Sequence, residues 1–144
     1  MQNNHLKTES VLKQIYNPYL KMNITLWIIQ GLLAAFFIMP GVGKIFNSKQ
    51  KHIEDRHLKA EDSIIPIRIL GFLELLGCIG IIIPWLTGIA PLLTPITAVC
   101  FCIVMLSGAV IHTKKKEYKI IPMLVVVFAL AAFVAYYRFH NLIG

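Results

Sequence analysis

The chain has 144 residues, 57% of them hydrophobic and 15% charged, with a net charge of +7 and a mean hydropathy of +0.70. A soluble chain of this size carries about 25% charged residues, so a soluble globular domain is excluded, and the length allows one domain. The positive excess does not indicate a nucleic-acid surface, because runs such as Lys114-Lys115-Lys116 border apolar stretches, where lysines meet lipid headgroups and set topology.

Residues 1–23 form an N-terminal tail. Within it Val11, Leu12, Ile15, Tyr16 and Tyr19 recur at helical spacing with Lys13, Gln14 and Asn17 between them. That pattern fits a short amphipathic helix on the membrane surface, and a disordered tail is the other reading.

A helix crosses the hydrocarbon core with about 20 mostly apolar residues. Four runs qualify, at 24–46, 64–86, 88–111 and 120–137, and they leave a short tail at 139–144. The first is too long for a cleaved signal peptide and no small-residue cleavage site follows it. After it comes a polar loop at 47–63 with four positive and four negative side chains, either coil or a short surface helix. Between the second and third runs, Pro84-Trp85-Leu86-Thr87-Gly88 and then Pro91 end one helix and start the next, with Trp85 suited to the interface. Backbone groups in lipid must bond within their own segment, so each run is helical. The expected fold is therefore an all-α integral membrane protein: an antiparallel bundle of four transmembrane helices with a tight hairpin between the second and third.

Lys7, Lys13, Lys21 and Arg138 fall on the side of the termini and the Trp85 turn. Nine positive residues fall on the other side: Lys44, Lys49, Lys51, Arg56, Lys59, Lys114, Lys115, Lys116 and Lys119. The positive-inside rule predicts a cell-membrane protein with both long loops cytoplasmic and both termini outside.

Charged side chains inside spans are costly and mark functional positions. Glu74 lies roughly 15 Å into the second span at 1.5 Å per residue, near mid-membrane. Arg68 is closer to the start of that span and reaches outward. Helical side chains lean toward their own N-terminus, so Lys44 at the end of the first span leans into the membrane and Glu74 leans toward it. Pro40, Gly41 and Gly43 let the helix yield and the ammonium descend. The lean predicts a Lys44–Glu74 interaction, direct or through water, and a neutral, protonated Glu74 is the alternative. Gly71, Gly77 and Gly80 follow Arg68 and Glu74 at a spacing of three and predict close helix packing. Ala131, Ala132 and Ala135 would do the same on the fourth span.

Cys78, Cys100 and Cys102 contain no CxxC pair, and Cys100 and Cys102 point apart on one helix, so they read as small apolar fillers. No haem motif is present, since His112 and His140 fall on opposite faces. His52, His57 and His112 share a side with Glu54 and Asp55, but at no recognised metal-ligand spacing, and no metal is assigned.

The stretch from Leu26-Trp27-Ile28-Ile29-Gln30 to Pro40-Gly41-Val42-Gly43-Lys44 resembles the first helix of the DoxX-like proteins. Arg68, Gly71, Glu74, Gly77 and Pro84 resemble the second helix. Thr87-Gly88, Pro91, His112 and Glu117 resemble the third with its basic exit, and Arg138 matches the arginine that closes the fourth. The resemblance covers about residues 24–138. It implies a four-helix membrane protein of a family in which some members are linked to sulfur-compound or quinol oxidation and to membrane redox complexes, and distant relatives are assembly chaperones for membrane receptors. It also marks Lys44, Arg68, Glu74, His112, Glu117 and Arg138 as the positions to watch.

Two readings stay open. One is a small subunit of membrane redox or quinone chemistry, with a Lys44–Glu74–His112 cluster bonding a headgroup or moving a proton. The other is a non-enzymatic scaffold or assembly chaperone, in which the glycine ridge and Glu74 grip a partner's helix or a second copy of the chain. A small-molecule carrier ranks third, since no internal repeat is visible. Whether the protein is an enzyme, and whether a quinone is its cofactor, is not readable from the residues.

Overall fold

The computed structural model describes residues 2–15, 18–55 and 57–143, and among them every regular element is a helix. In order these are α1 (Gln2–Ile15), α2 (Pro18–Phe46), α3 (Lys49–Glu54), α4 (Ile65–Gly80), α5 (Ile83–Thr87), α6 (Leu93–Lys114) and α7 (Ile121–Ile143). Helix α1 takes in the first part of the amphipathic segment, while Tyr16 and Asn17 lie outside the described residues.

Among the described residues four stretches are long and apolar enough to cross a membrane: Leu20–Phe46, Ile65–Thr87, Leu93–Lys114 and Ile121–Ile143. Each carries a buried stripe whose members are three or four residues apart. On α2 the stripe is Leu26, Gln30, Leu33 and Phe37, and α4 continues into Ile81 with Gly71, Glu74 and Cys78. On α6 it is Thr94, Ala98, Phe101 and Met105, and on α7 Leu124, Val127, Ala131, Val134 and Arg138. That 3–4 alternation is the register of helices packed nearly parallel to one another's axes. The opposite faces carry exposed Ile28, Leu32, Ile69, Leu73, Leu76, Ile103, Leu106, Val125 and Val126. So much exposed apolar surface belongs against lipid, not water. The protein is a multi-pass membrane protein.

Helix α2 packs along α4, and α6 along α7, with α2–α7 and α4–α6 contacts joining the two pairs. Gly41 meets Leu75 and Gly71, the Ala34 carbonyl meets Cys78, and Gln30 meets Ile81. Numbers fall along α2 as they rise along α4, so these two run in opposite directions. Between α2 and α6 the buried Phe37 and Phe101 rings stack with centroids 3.8 Å apart, and Gly77 leaves room for that ring: a Cβ there would meet Phe101 at 2.6 Å.

Proline and glycine set the breaks. The second span is two helices, α4 and α5, with Pro84 in the first turn of α5. Gly88 ends α5 in the left-handed region at φ +70°, and Ala90 follows at φ +51°, so the third long helix begins at Leu93 and not directly after the turn. Within α2 the helix continues through Pro40. On the loop side Ser48 caps α3 by accepting from Lys51 N at 3.2 Å.

Candidate functional site

The Gly41–Gly71 crossing brings the α2 and α4 backbones together, and it positions the first polar group. Lys44 lies one turn beyond Gly41 and Glu74 one turn beyond Gly71. Lys44 Nζ donates to Glu74 Oε1 at 2.5 Å. The Glu74 side chain is 2% exposed and that of Lys44 is 24% exposed, so the ammonium forms the open side of the pair. Glu74 Oε2 is buried with no hydrogen-bond partner among the described residues. A carboxylate oxygen in that state costs free energy unless something donates to it.

His112 does not join this pair. Helix α6 closes with Lys116 in the left-handed region at φ +59°, with Glu117 N donating to His112 O at 2.9 Å and Lys116 N to Thr113 O at 3.0 Å. These two bonds form a Schellman turn. It carries Glu117 back over the helix end, where Glu117 Oε2 lies 2.7 Å from His112 Nδ1. Arg68 is exposed and joins neither group. The six positions therefore separate into a Lys44–Glu74 pair, a His112–Glu117 pair, Arg68 on the surface, and Arg138 at the other end of the bundle.

Helix α3 adds His52, 2% exposed, whose two ring nitrogens have no partner among the described residues. Its ring centroid lies 6.0 Å from that of His57. Partial burial and then Lys115 hold the His57 imidazole below its ordinary value, with His52 and Lys44 adding to the effect and Asp55 opposing it. Both long loops thus lie at the Lys44 end, close enough for Lys115 to act on His57 electrostatically. Among the described residues no three His, Cys, Asp or Glu side chains come together as metal ligands.

Among the described residues Arg138 is the largest fully buried side chain, at 0% exposure. Its Nε and Nη2 donate to Gln30 Oε1 at 2.9 and 2.5 Å, and Nη1 donates to Asn23 Oδ1 at 3.0 Å. Gln30 can accept both because its amide is oriented by a second bond, from Nε2 to the Ile81 carbonyl where α4 ends. The guanidinium carbon lies 4.2 Å from the Trp85 ring centroid and 5.3 Å from that of Trp27, within cation–π range. Among the described residues no carboxylate pairs with it.

Sequence reasoning passed over Asn23, Trp27 and Gln30 as members of this group, although a signal was present. They are spaced four and three apart, so they share one helix face, and Gln30 is a polar residue inside an apolar span. The buried position of His52 has no such signal. Two of the thiols bond neighbouring helices: Cys78 Sγ donates to Ala34 O at 3.4 Å and Cys102 Sγ to Phe128 O at 3.8 Å, while Cys100 is exposed.

A family model described as the DoxX-like family matches residues 28–134, which takes in Lys44, Glu74, His112 and Glu117 and stops short of Arg138. No curated relative and no solved structure matches the chain.

Proposed function

The chain belongs to the DoxX-like family, and on that footing we propose that it is a small subunit of membrane redox chemistry whose Lys44–Glu74 pair binds a quinone-type headgroup. The observation that carries this reading is the unpartnered, buried Glu74 Oε2 beside an ammonium that donates to Oε1. An ammonium has three N–H donors and no acceptor, and an ionised carboxylate only accepts. Side by side they suit a group that alternates between carbonyl and hydroxyl: Lys44 donates to the carbonyl form, and Oε2 accepts from the hydroxyl form. Lys44 gives the approach, since it is the less buried partner. The chain's part is to bind and orient the headgroup, while electron donors and acceptors belong to the complex that it serves.

The test is extraction from native membranes in mild detergent, with quinones in the purified sample quantified by mass spectrometry. Wild type should retain quinone at near-stoichiometric amounts, and Glu74→Gln should lose about tenfold, the loss of one hydrogen bond to a charged group. Equal amounts in both proteins, or none in wild type, would overturn the reading. The scaffold alternative would need a gripping surface other than the glycine ridge. Gly71 faces Gly41 and Lys44, Gly77 faces Phe101, and Gly80 faces Thr97, all within the bundle.

A further inference from the structure

We propose that Arg138, at the end of the bundle away from Lys44 and Glu74, is a binding site for a phosphate group, with Asn23 as its displaceable cover. An arginine buried without a counter-charge is costly even with amides and indole faces around it. Lys44 has Glu74, whereas among the described residues Arg138 has only neutral partners: Asn23, Gln30, Trp27 and Trp85. Guanidinium has five N–H donors and the three bonds engage one on each nitrogen; with Asn23 displaced, both on Nη1 and one on Nη2 are open to a planar, forked contact. Phosphate matches that fork.

The group is one side chain from the surface. Asn23 is exposed, Trp27 and Trp85 are half-buried, and only Gln30 and Arg138 are fully enclosed. An anionic oxygen replacing Asn23 Oδ1 on Nη1 exchanges a bond from the cation to a neutral acceptor for one to a counter-charge, in the bidentate geometry that guanidinium offers phosphate. Gln30 stays in place because the Ile81 carbonyl holds it. The same end carries Tyr136, Tyr137 and the two tryptophans, the residue types that gather at headgroup level. The phosphate can come from a phospholipid headgroup or from solution, and this inference does not depend on quinone binding at Lys44–Glu74.

The chain has two tryptophans, and both lie on Arg138, so tryptophan emission, excited beyond the tyrosine absorption band, reports on this site. Protein in an uncharged detergent is titrated with short-chain phosphatidylglycerol and, separately, with inorganic phosphate. A saturable change in tryptophan emission is expected with phosphatidylglycerol and to be lost in Arg138→Gln. In Asn23→Ala, where the competing amide is gone, the midpoint should fall about three- to tenfold, as for loss of one competing hydrogen bond. A matching response to inorganic phosphate assigns the site to a soluble anion, and a response to the lipid alone assigns it to a headgroup. No saturable response, an unchanged response in Arg138→Gln, or an Asn23→Ala midpoint equal to or above wild type would show that Arg138 only latches the helices. Should Arg138→Gln fail to fold, the Asn23→Ala comparison decides by itself.

Discussion

Glu74 can keep its charge among apolar neighbours only while an opposite charge stays in reach, and Lys44 supplies it at 2.5 Å. Removing one partner of a buried pair strands the other, at a cost of about 3–5 kcal/mol when both are fully enclosed. Lys44 is partly exposed and can turn to water, so Lys44→Met should destabilise more than Glu74→Gln. The double variant should recover part of the loss, because no unpaired charge remains. Thermal unfolding of the four proteins in detergent measures this, and strictly additive losses would show that the two side chains are not coupled. The pairing was legible because side-chain lean depends only on helix direction. The separation of His112 was not, because it depends on a left-handed Lys116, a conformation that the lysine does not advertise. Arg138 was legible as a position but not as a site: its partners are uncharged, and attention to charges alone passes over them.

At the scale of the helix, the question is which way each polar residue turns. The three-residue ridge on α4 was correctly a packing feature in kind, but it does not meet one neighbour. Gly71 and Gly77 are six residues apart and so differ by about 240° around the axis. Gly71 accordingly meets α2, while Gly77 and Gly80 meet α6. The buried stripe seen in the fold, alternating three and four, separates the polar residues instead: it holds Gln30, Glu74, Thr94 and Arg138 inside and leaves Arg68 out. The α2–α4 crossing yields the sharpest prediction. A Cβ on Gly71 would sit 2.7 Å from Lys44 Cβ and 2.8 Å from the Gly41 carbonyl oxygen, and backbone cannot step aside. Gly71→Ala should therefore cost about 1–3 kcal/mol, the range for an overpacked contact. Gly31→Ala meets nothing within 4 Å and should be neutral or stabilising by up to about 1 kcal/mol, the helix preference of alanine over glycine. Unfolding both variants beside wild type compares them directly, and an equal effect at the two positions would mean that the crossing is looser than its geometry.

For the molecule as a whole, four spans were legible from apolar run length alone, because lipid leaves the backbone no state but helix. The ends of the spans were less so: the positive φ at Gly88 and Ala90 moves the start of α6 to Leu93, and α7 continues past Arg138 to Ile143. Both basic loops lie at one end of the bundle. His57 from the loop after α2 feels Lys115 from the loop after α6, and also Lys44. Among the described residues Lys44, Lys49, Lys51, Lys59, Lys114, Lys115, Lys116 and Lys119 belong to that end, while Arg138 at the other end is enclosed in the bundle, and a bias of this kind predicts that the lysine-rich end is cytoplasmic. A cysteine at Ser48, the cap of α3, should be protected from a membrane-impermeant maleimide in intact cells. One at Asn4 in α1 should be labelled. The background must have Cys78, Cys100 and Cys102 replaced by alanine, because Cys100 is exposed on the bundle surface. Permeabilised cells should label both sites, which separates protection by the membrane from burial in the protein. Labelling at Ser48 with protection at Asn4 would invert the orientation. It would place the Lys44–Glu74 pair toward the outside and the Arg138 group toward the cytoplasm, and every contact within the bundle would stay as it is.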